Sequence, residues 1–298
     1  MRFGPWEILS QDEIEGGGFD ALARDLASGR DVRLWGGAPG SGREFPDRLP
    51  PAEVQRRLAR IYHPGLPRVL GSQVVDDRAV IVVEPYRGIL LTERLGAGGL
   101  DVLEALDVAR SVGAALVKAH RGGMIHGAVG PSEILLAEDG RTLLLHTGLG
   151  LFLEPRGPRA PEDVDSREGS ESGDVFGLSR VLAQALLGTD PFPPEPEELL
   201  ATFRAGLELR ENELPAAMPE GLRRFLARAV RTDRKGRIHR AEEFAGDLGV
   251  IRASWSAFTE GSPARPLPFP RLGRRSGWIA AGIVVALLVA AAVRGCGG

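Results

Sequence analysis

The sequence predicts an α+β fold: a small β-rich part up to about residue 86, a larger helical part after it, and one C-terminal transmembrane helix. Three observations lead there. Short apolar stretches broken by Gly/Asp/Ser turns fill the first third of the chain. Beyond residue 100 apolar positions recur at helical spacing. Near the end, residues 277–293 (GWIAAGIVVALLVAAAV) run 17 positions without a charge.

Taken in order, residues 6–9, 32–35 and 79–83 are the expected strands of a small sheet. One helical pattern interrupts them: in PAEVQRRLARIYHP, Val54, Leu58 and Ile61 fall on one face and Pro51 suits the first turn. Asp101 is the expected N-cap of a helix whose apolar face carries Leu103, Leu106, Val108, Ala109, Val112 and Leu116. The run VFGLSRVLAQALLG is apolar nearly all round and ends in Gly188, so it reads as a buried central helix with a glycine C-cap. In EGLRRFLARAVRTD, Leu222, Phe225, Leu226, Ala229 and Val230 keep the helical period, and a last helix is expected over 240–251. No internal repeat is visible.

Residues 253–276 form a Pro/Arg-rich linker, since GSPARPLPFPRLG lacks apolar periodicity. As a helix, residues 277–293 span roughly 25 Å, against a hydrocarbon core of about 30 Å. Trp278 suits an interface; Arg271, Arg274 and Arg275 precede the run and only Arg294 follows. That asymmetry places the N-terminal side in the cytosol, on a single-pass tail anchor in the cytoplasmic membrane with a short tail at 294–298. The opening MRFGPWEILSQDE has no apolar run and does not read as a secretory signal.

Lys and Arg number 37 and Asp and Glu 40, a net charge of −3, which argues against nucleic-acid binding by a basic surface. Hydrophobic residues at 43% and charged ones at 26% exclude wholesale disorder. The single cysteine, Cys296, excludes internal disulfides and Cys-rich zinc sites, and reads as an unmodified tail cysteine rather than a lipidation site.

A series of short motifs in a fixed order gives the finer reading. WEIL, EGGGF and SGRDVRL come first, then HPGLPRVLGS and AVIVVEPY. HGAVGPSEILL (126–136), HTGLG (146–150), Ala160-Pro161-Glu162, SGDVFGLSRVL and AVRTDRKGRI follow. Together they resemble the eukaryotic-like (Hanks-type) protein kinases, in particular bacterial membrane-anchored Ser/Thr kinases, over nearly all of the part before the linker. The resemblance implies a two-lobed protein-kinase-like fold, with a β-rich N-lobe at 1–86 and a helical C-lobe at 87–252.

The chemistry departs from that family. By the resemblance, Trp35 stands where the phosphate-gripping Lys belongs, and an indole offers one N–H and no charge. Val54 stands for the Glu that would hold that Lys, with Glu53 adjacent but a helical step away. Gly127, Ala128 and Gly130 replace the Arg, Asp and Lys of the catalytic loop; Glu133 replaces its Asn; His146 replaces the DFG Asp. Glu15 and Asp20 stand at glycines of the phosphate loop, where acidic groups would repel a triphosphate. Gly16 to Gly18 read as a plain turn.

The structural positions are kept: His126 in the loop, Glu162 and Arg237 as the expected buried ion pair, and Asp174 opening the central helix. His63 is structural by the same resemblance. The segment HTGLGLFLEPRGPRAPE has Thr147 as its only hydroxyl, so no phosphorylation switch is expected there. His126 and His146 would lie close together, without the spacing of a metal site. Glu84 and Tyr86 flank Pro85 in the hinge and could still offer main-chain groups to adenine.

The leading expectation is therefore a kinase-like domain without phosphotransfer activity (a pseudokinase), binding no metal or cofactor. It would act as a membrane-anchored signalling scaffold or regulator for a protein partner, an active kinase or its substrate. Two alternatives stay open. One is a divergent Ser/Thr kinase taking ATP and magnesium through displaced groups such as Glu53 or Glu133. The other is a non-catalytic nucleotide-sensing switch.

Overall fold

The computed structural model describes residues 1–260, except 15, 42–50, 152–159, 165–168, 194–195, 207 and 216–217. Six strands build the first lobe: β1 (Arg2–Phe3), β2 (Trp6–Ile14), β3 (Gly18–Asp25), β4 (Asp31–Gly36), β5 (Val69–Val75) and β6 (Arg78–Val83). All neighbours are antiparallel, in the order β1-β2-β3-β4-β6-β5. Gly16 and Gly17, both at positive φ, turn β2 into β3, which is the plain turn the glycines suggest. Asp76 and Asp77 sit at φ 48° and 62° and pair Val75 with Arg78 across a two-residue hairpin that needs left-handed residues at both centres. The register sets Asp20 opposite Trp35, and Trp35 opposite Ile81, so one face of the sheet looks toward the second lobe.

Helix α1 (Pro51–Leu58) packs on β5 and β6 and buries Leu58. It is shorter than its apolar pattern: the Arg60 and Ile61 N–H groups turn back to the Arg57 and Leu58 carbonyls at 3.1 and 2.9 Å, tightening the chain out of the α-helix. His63 then closes the turn, its Nδ1 accepting the Gly65 N–H at 3.0 Å.

The second lobe opens with β7 (Gly88–Leu90), α2 (Leu91–Gly96) and α3 (Val102–Arg121). Asp101 caps α3, accepting the Glu104 N–H at 2.8 Å. Strands β8 (Ile134–Ala137) and β9 (Thr142–Leu144) join β7 in a small sheet, order β7-β8-β9. Helix α4 (Glu171–Leu187) begins a turn earlier than its apolar run, because Ser170 caps it through the Gly173 N–H at 2.9 Å. It ends on left-handed Gly188, as the sequence suggests, and is buried along nearly its whole length. Helices α5 (Pro196–Arg204), α6 (Glu220–Ala229) and α7 (Ala241–Glu260) surround it, and α3 packs on both α4 and α7.

Helix α7 continues beyond residue 251 because no Gly or Pro interrupts the chain before Gly261; Arg252 pairs with Asp107 of α3 at 2.6 Å. The stretch 277–293 expected to cross a membrane lies outside the described residues, as does Cys296. Among the described residues no helix is long and apolar enough to cross a membrane.

Candidate functional site

The loop between α3 and β8 is fixed from below by Asp174 in the first turn of α4, whose carboxylate is 1% exposed. One oxygen accepts the His126 N–H at 2.8 Å and lies 2.8 Å from His120 Nε2; the other accepts the Gly127 N–H at 2.7 Å. A buried carboxylate is tolerable only when its lone pairs are satisfied, and these are. His126 Nδ1 accepts the Ala128 N–H at 3.2 Å, so Nε2 carries the proton and donates to the Leu145 carbonyl at 2.7 Å. The loop is thereby tied to the end of β9. Gly177 of α4 allows the approach: a Cβ there would lie 2.5 Å from the Val129 carbonyl oxygen.

A second clamp joins Glu162 to Arg237. Ser172 Oγ donates to Glu162 at 2.8 Å, and Arg237 also reaches the Arg231 carbonyl at 3.0 Å and stacks on Phe176. Burial would raise the Glu162 carboxyl, but the Arg237 and Ser172 hydrogen bonds outweigh it and hold it below its usual range. Arg237→Ala leaves Glu162 half-buried without its principal cationic partner, so a loss of about 3 kcal/mol is expected in urea unfolding.

The cleft holds a chain of side chains from both lobes. Trp35 (β4) is fully buried and donates its indole N–H to Tyr86 Oη at 2.9 Å. The Tyr86 hydroxyl donates to Asp20 (β3) at 2.6 Å. His146, just after β9, lies 3.1 Å through Nε2 from the same Asp20 oxygen and 2.7 Å through Nδ1 from Glu133. Arg33 (β4) pairs with the other Asp20 oxygen at 2.8 Å and lies over the Tyr86 ring. Trp35 meets His146 edge-on, ring centres 5.3 Å apart.

Burial alone would push the His146 imidazole down. The Glu133 charge and the hydrogen bonds to Asp20 and Glu133 reverse that and raise it to about 9, so both ring nitrogens carry protons at neutral pH. Asp20 is held below its usual range for the converse reason, burial being outweighed by His146 and Arg33. Burial and the Asp20 charge push the Tyr86 phenol well above its ordinary value.

Several expectations change here. Asp20 is not a free acid repelling phosphate: it points across the cleft and is neutralised by Arg33 and His146. Glu15 lies outside the described residues, as does the Val54 side chain. Glu53 is spent on Arg56 and Arg57 of its own helix, at 3.0 and 3.2 Å. His126 and His146 each hold separate partners, and no cluster of metal-ligating side chains stands out among the described residues. In the hinge the Glu84 N–H donates to the Arg68 carbonyl at 2.9 Å and its carboxylate meets Arg141, while Tyr86 turns its ring into the cleft. Gly130 caps a short turn over Pro131–Glu133 that buries the Glu133 side chain. Thr147 is buried, its Oγ1 without a partner among the described residues, beside a cavity of about 10 Å³ behind Trp35. Sequence reasoning assigned no role to His120 and did not connect Asp20, Arg33 and Tyr86 to His146.

As arranged, these residues do not fit a magnesium-bound triphosphate. Both carboxylates are engaged by His146, and an uncharged indole occupies the position of the phosphate-gripping ammonium.

Comparison with known proteins places this geometry. No family model matches the chain. It is 25% identical over 237 residues to the serine/threonine-protein kinase PknA of Mycobacterium tuberculosis, covering 74% of this chain and 53% of that one. It is 24% identical over 205 residues to the serine/threonine-protein kinase PrkC of Bacillus subtilis, covering 62% and 31%. The chain thus spans about half the length of PknA and less of PrkC. Among solved structures, the PknI kinase domain of Mycobacterium tuberculosis superposes with a TM-score of 0.63 at 22% identity, covering 84% of this chain and 97% of that one. The two-lobed kinase fold is therefore established. The expectation that the chain is not an enzyme is corrected by these findings: its relatives are named as kinases and its structural neighbours are kinase domains. Positions 35 and 128 of the cleft carry the uncharged side chains of Trp and Ala.

Proposed function

We propose, starting from the chain's kinship with the bacterial Hanks-type serine/threonine protein kinases, that it is a divergent protein kinase domain working in phosphorylation-based signalling. The observation that carries this reading is the intact support of the transfer loop. Asp174 holds the His126 and Gly127 backbone and His126 holds Leu145, although the side chains that loop presents have changed. Glu133 is the acidic side chain of that loop, buried 2.7 Å from His146, and transfer in this reading depends on its charge rather than on the missing Asp.

The test is transfer of labelled γ-phosphate from magnesium-ATP to the chain itself and to a general protein substrate. Incorporation that Glu133→Gln lowers at least 100-fold is expected. No incorporation by the wild type at saturating nucleotide, or full retention in the variant, contradicts the proposal. Nucleotide binding without turnover would point instead to a sensing switch. The reading extends to place and partner: residues 277–293 anchor the domain at the cytoplasmic membrane, where it meets a protein partner, an active kinase or its substrate, at raised effective concentration.

A further inference from the structure

We propose that Asp20, His146 and Glu133 form an interlobe latch that holds the cleft shut against a nucleotide. Asp20 stands on β3 of the first lobe; His146 and Glu133 belong to the second. The two partners on the second lobe are fixed to each other, since the Leu145 N–H donates to the Glu133 carbonyl at 2.8 Å and the His146 ring meets the Glu133 carboxylate at 2.7 Å. Of the hydrogen bonds within the trio, the one that crosses the lobes is His146 Nε2 to Asp20 at 3.1 Å. It must break for the cleft to open beside these residues.

The latch is backed on its first-lobe side. Arg33 and Tyr86 fix the Asp20 carboxylate, and Trp35 in turn fixes the Tyr86 hydroxyl. Asp20, His146 and Glu133 are buried, so water offers little competition, and bonds between charged groups are the strong ones. His146 adopts φ 55°, a left-handed conformation uncommon outside glycine. The backbone is held there by a side chain that satisfies both ring nitrogens at once. By the resemblance, Asp20 and His146 stand at the phosphate-loop and metal-ligand positions of the kinases, so in this proposal nucleotide and latch exclude each other. Its gating role rests on the divergent-kinase reading; its existence does not.

The test uses the full chain with Cys296→Ser and spin labels at Ser10→Cys and Glu138→Cys, exposed positions on opposite lobes. Pulsed electron–electron distance measurement is expected to give one narrow distribution for the latched protein. Asp20→Asn, nearly isosteric, and His146→Gln should each broaden and lengthen it by several ångströms. A magnesium-free titration with a fluorescent ATP analogue should then show at least tenfold tighter binding in both variants. Unchanged distances in both sink the latch, whatever the transfer assay shows. Opened lobes with no gain in binding overturn the gating role alone. If His146→Gln fails to fold, Asp20→Asn decides both points.

Discussion

Asp174→Ala is expected to cost about 4 kcal/mol of stability. The carboxylate accepts two buried backbone N–H groups and meets His120. Alanine strands both N–H donors, at about 1–3 kcal/mol each, and leaves His120 without its partner. For a domain of this size the melting temperature should fall by about 10 °C. Asp174→Asn keeps one acceptor but turns an amide N–H₂ toward a backbone N–H or His120, and should lose about half as much. Both values are read in urea unfolding with matched slopes. A loss under about 1 kcal/mol for Asp174→Ala would mean that the loop does not depend on this contact.

Raising the pH from 6.5 to 10 is expected to remove on the order of 3 kcal/mol of stability through His146 alone. Its folded value is raised to about 9 against 6.5 in the unfolded chain. The folded state therefore binds the proton more tightly, and the contribution is complete below pH 6.5 and lost as pH rises through about 9. The groups facing the ring are Glu133, Asp20 and, through Asp20, Arg33 and Tyr86. Asp20 works in the opposite direction: its lowered value contributes stability above the usual carboxylate range and loses it only in strong acid. Unfolding at a series of pH values, for the wild type and His146→Gln, isolates the effect. The variant should lack the alkaline slope; equal slopes would show that His146 is not a charged bridge.

The parts of this fold that can be read in the sequence are local. Asp101 and Gly188 announce α3 and α4 because caps act on the nearest few backbone groups, and the apolar periods of α3 and α6 survive because each buries one face. Strand β5 is harder to see: VLGSQVV breaks alternation with a glycine and a bulge between Val69 and Gly71, and it lies at the sheet edge, where half its side chains are wet. The cleft network is least legible. Asp20 and His146 are 126 positions apart, and nothing in either neighbourhood says that they meet. An acid at position 20 looks like a charge aimed at phosphate; only the register of β3 against β4 and the closure of the lobes make it a partner for an imidazolium. His120 failed to register for a similar reason, since a histidine in the last turn of a helix is ordinary until a buried carboxylate is found beneath it.

The most direct measurement of the central claim is nitrogen-15 NMR of the His146 ring in the full chain, from pH 5 to 10. The account predicts both nitrogens protonated at neutral pH, with the ring titrating near 9 and cross-lobe contacts to Asp20 disappearing as it does. A neutral His146 ring at pH 7.5, or one titrating near 6.5, would contradict it.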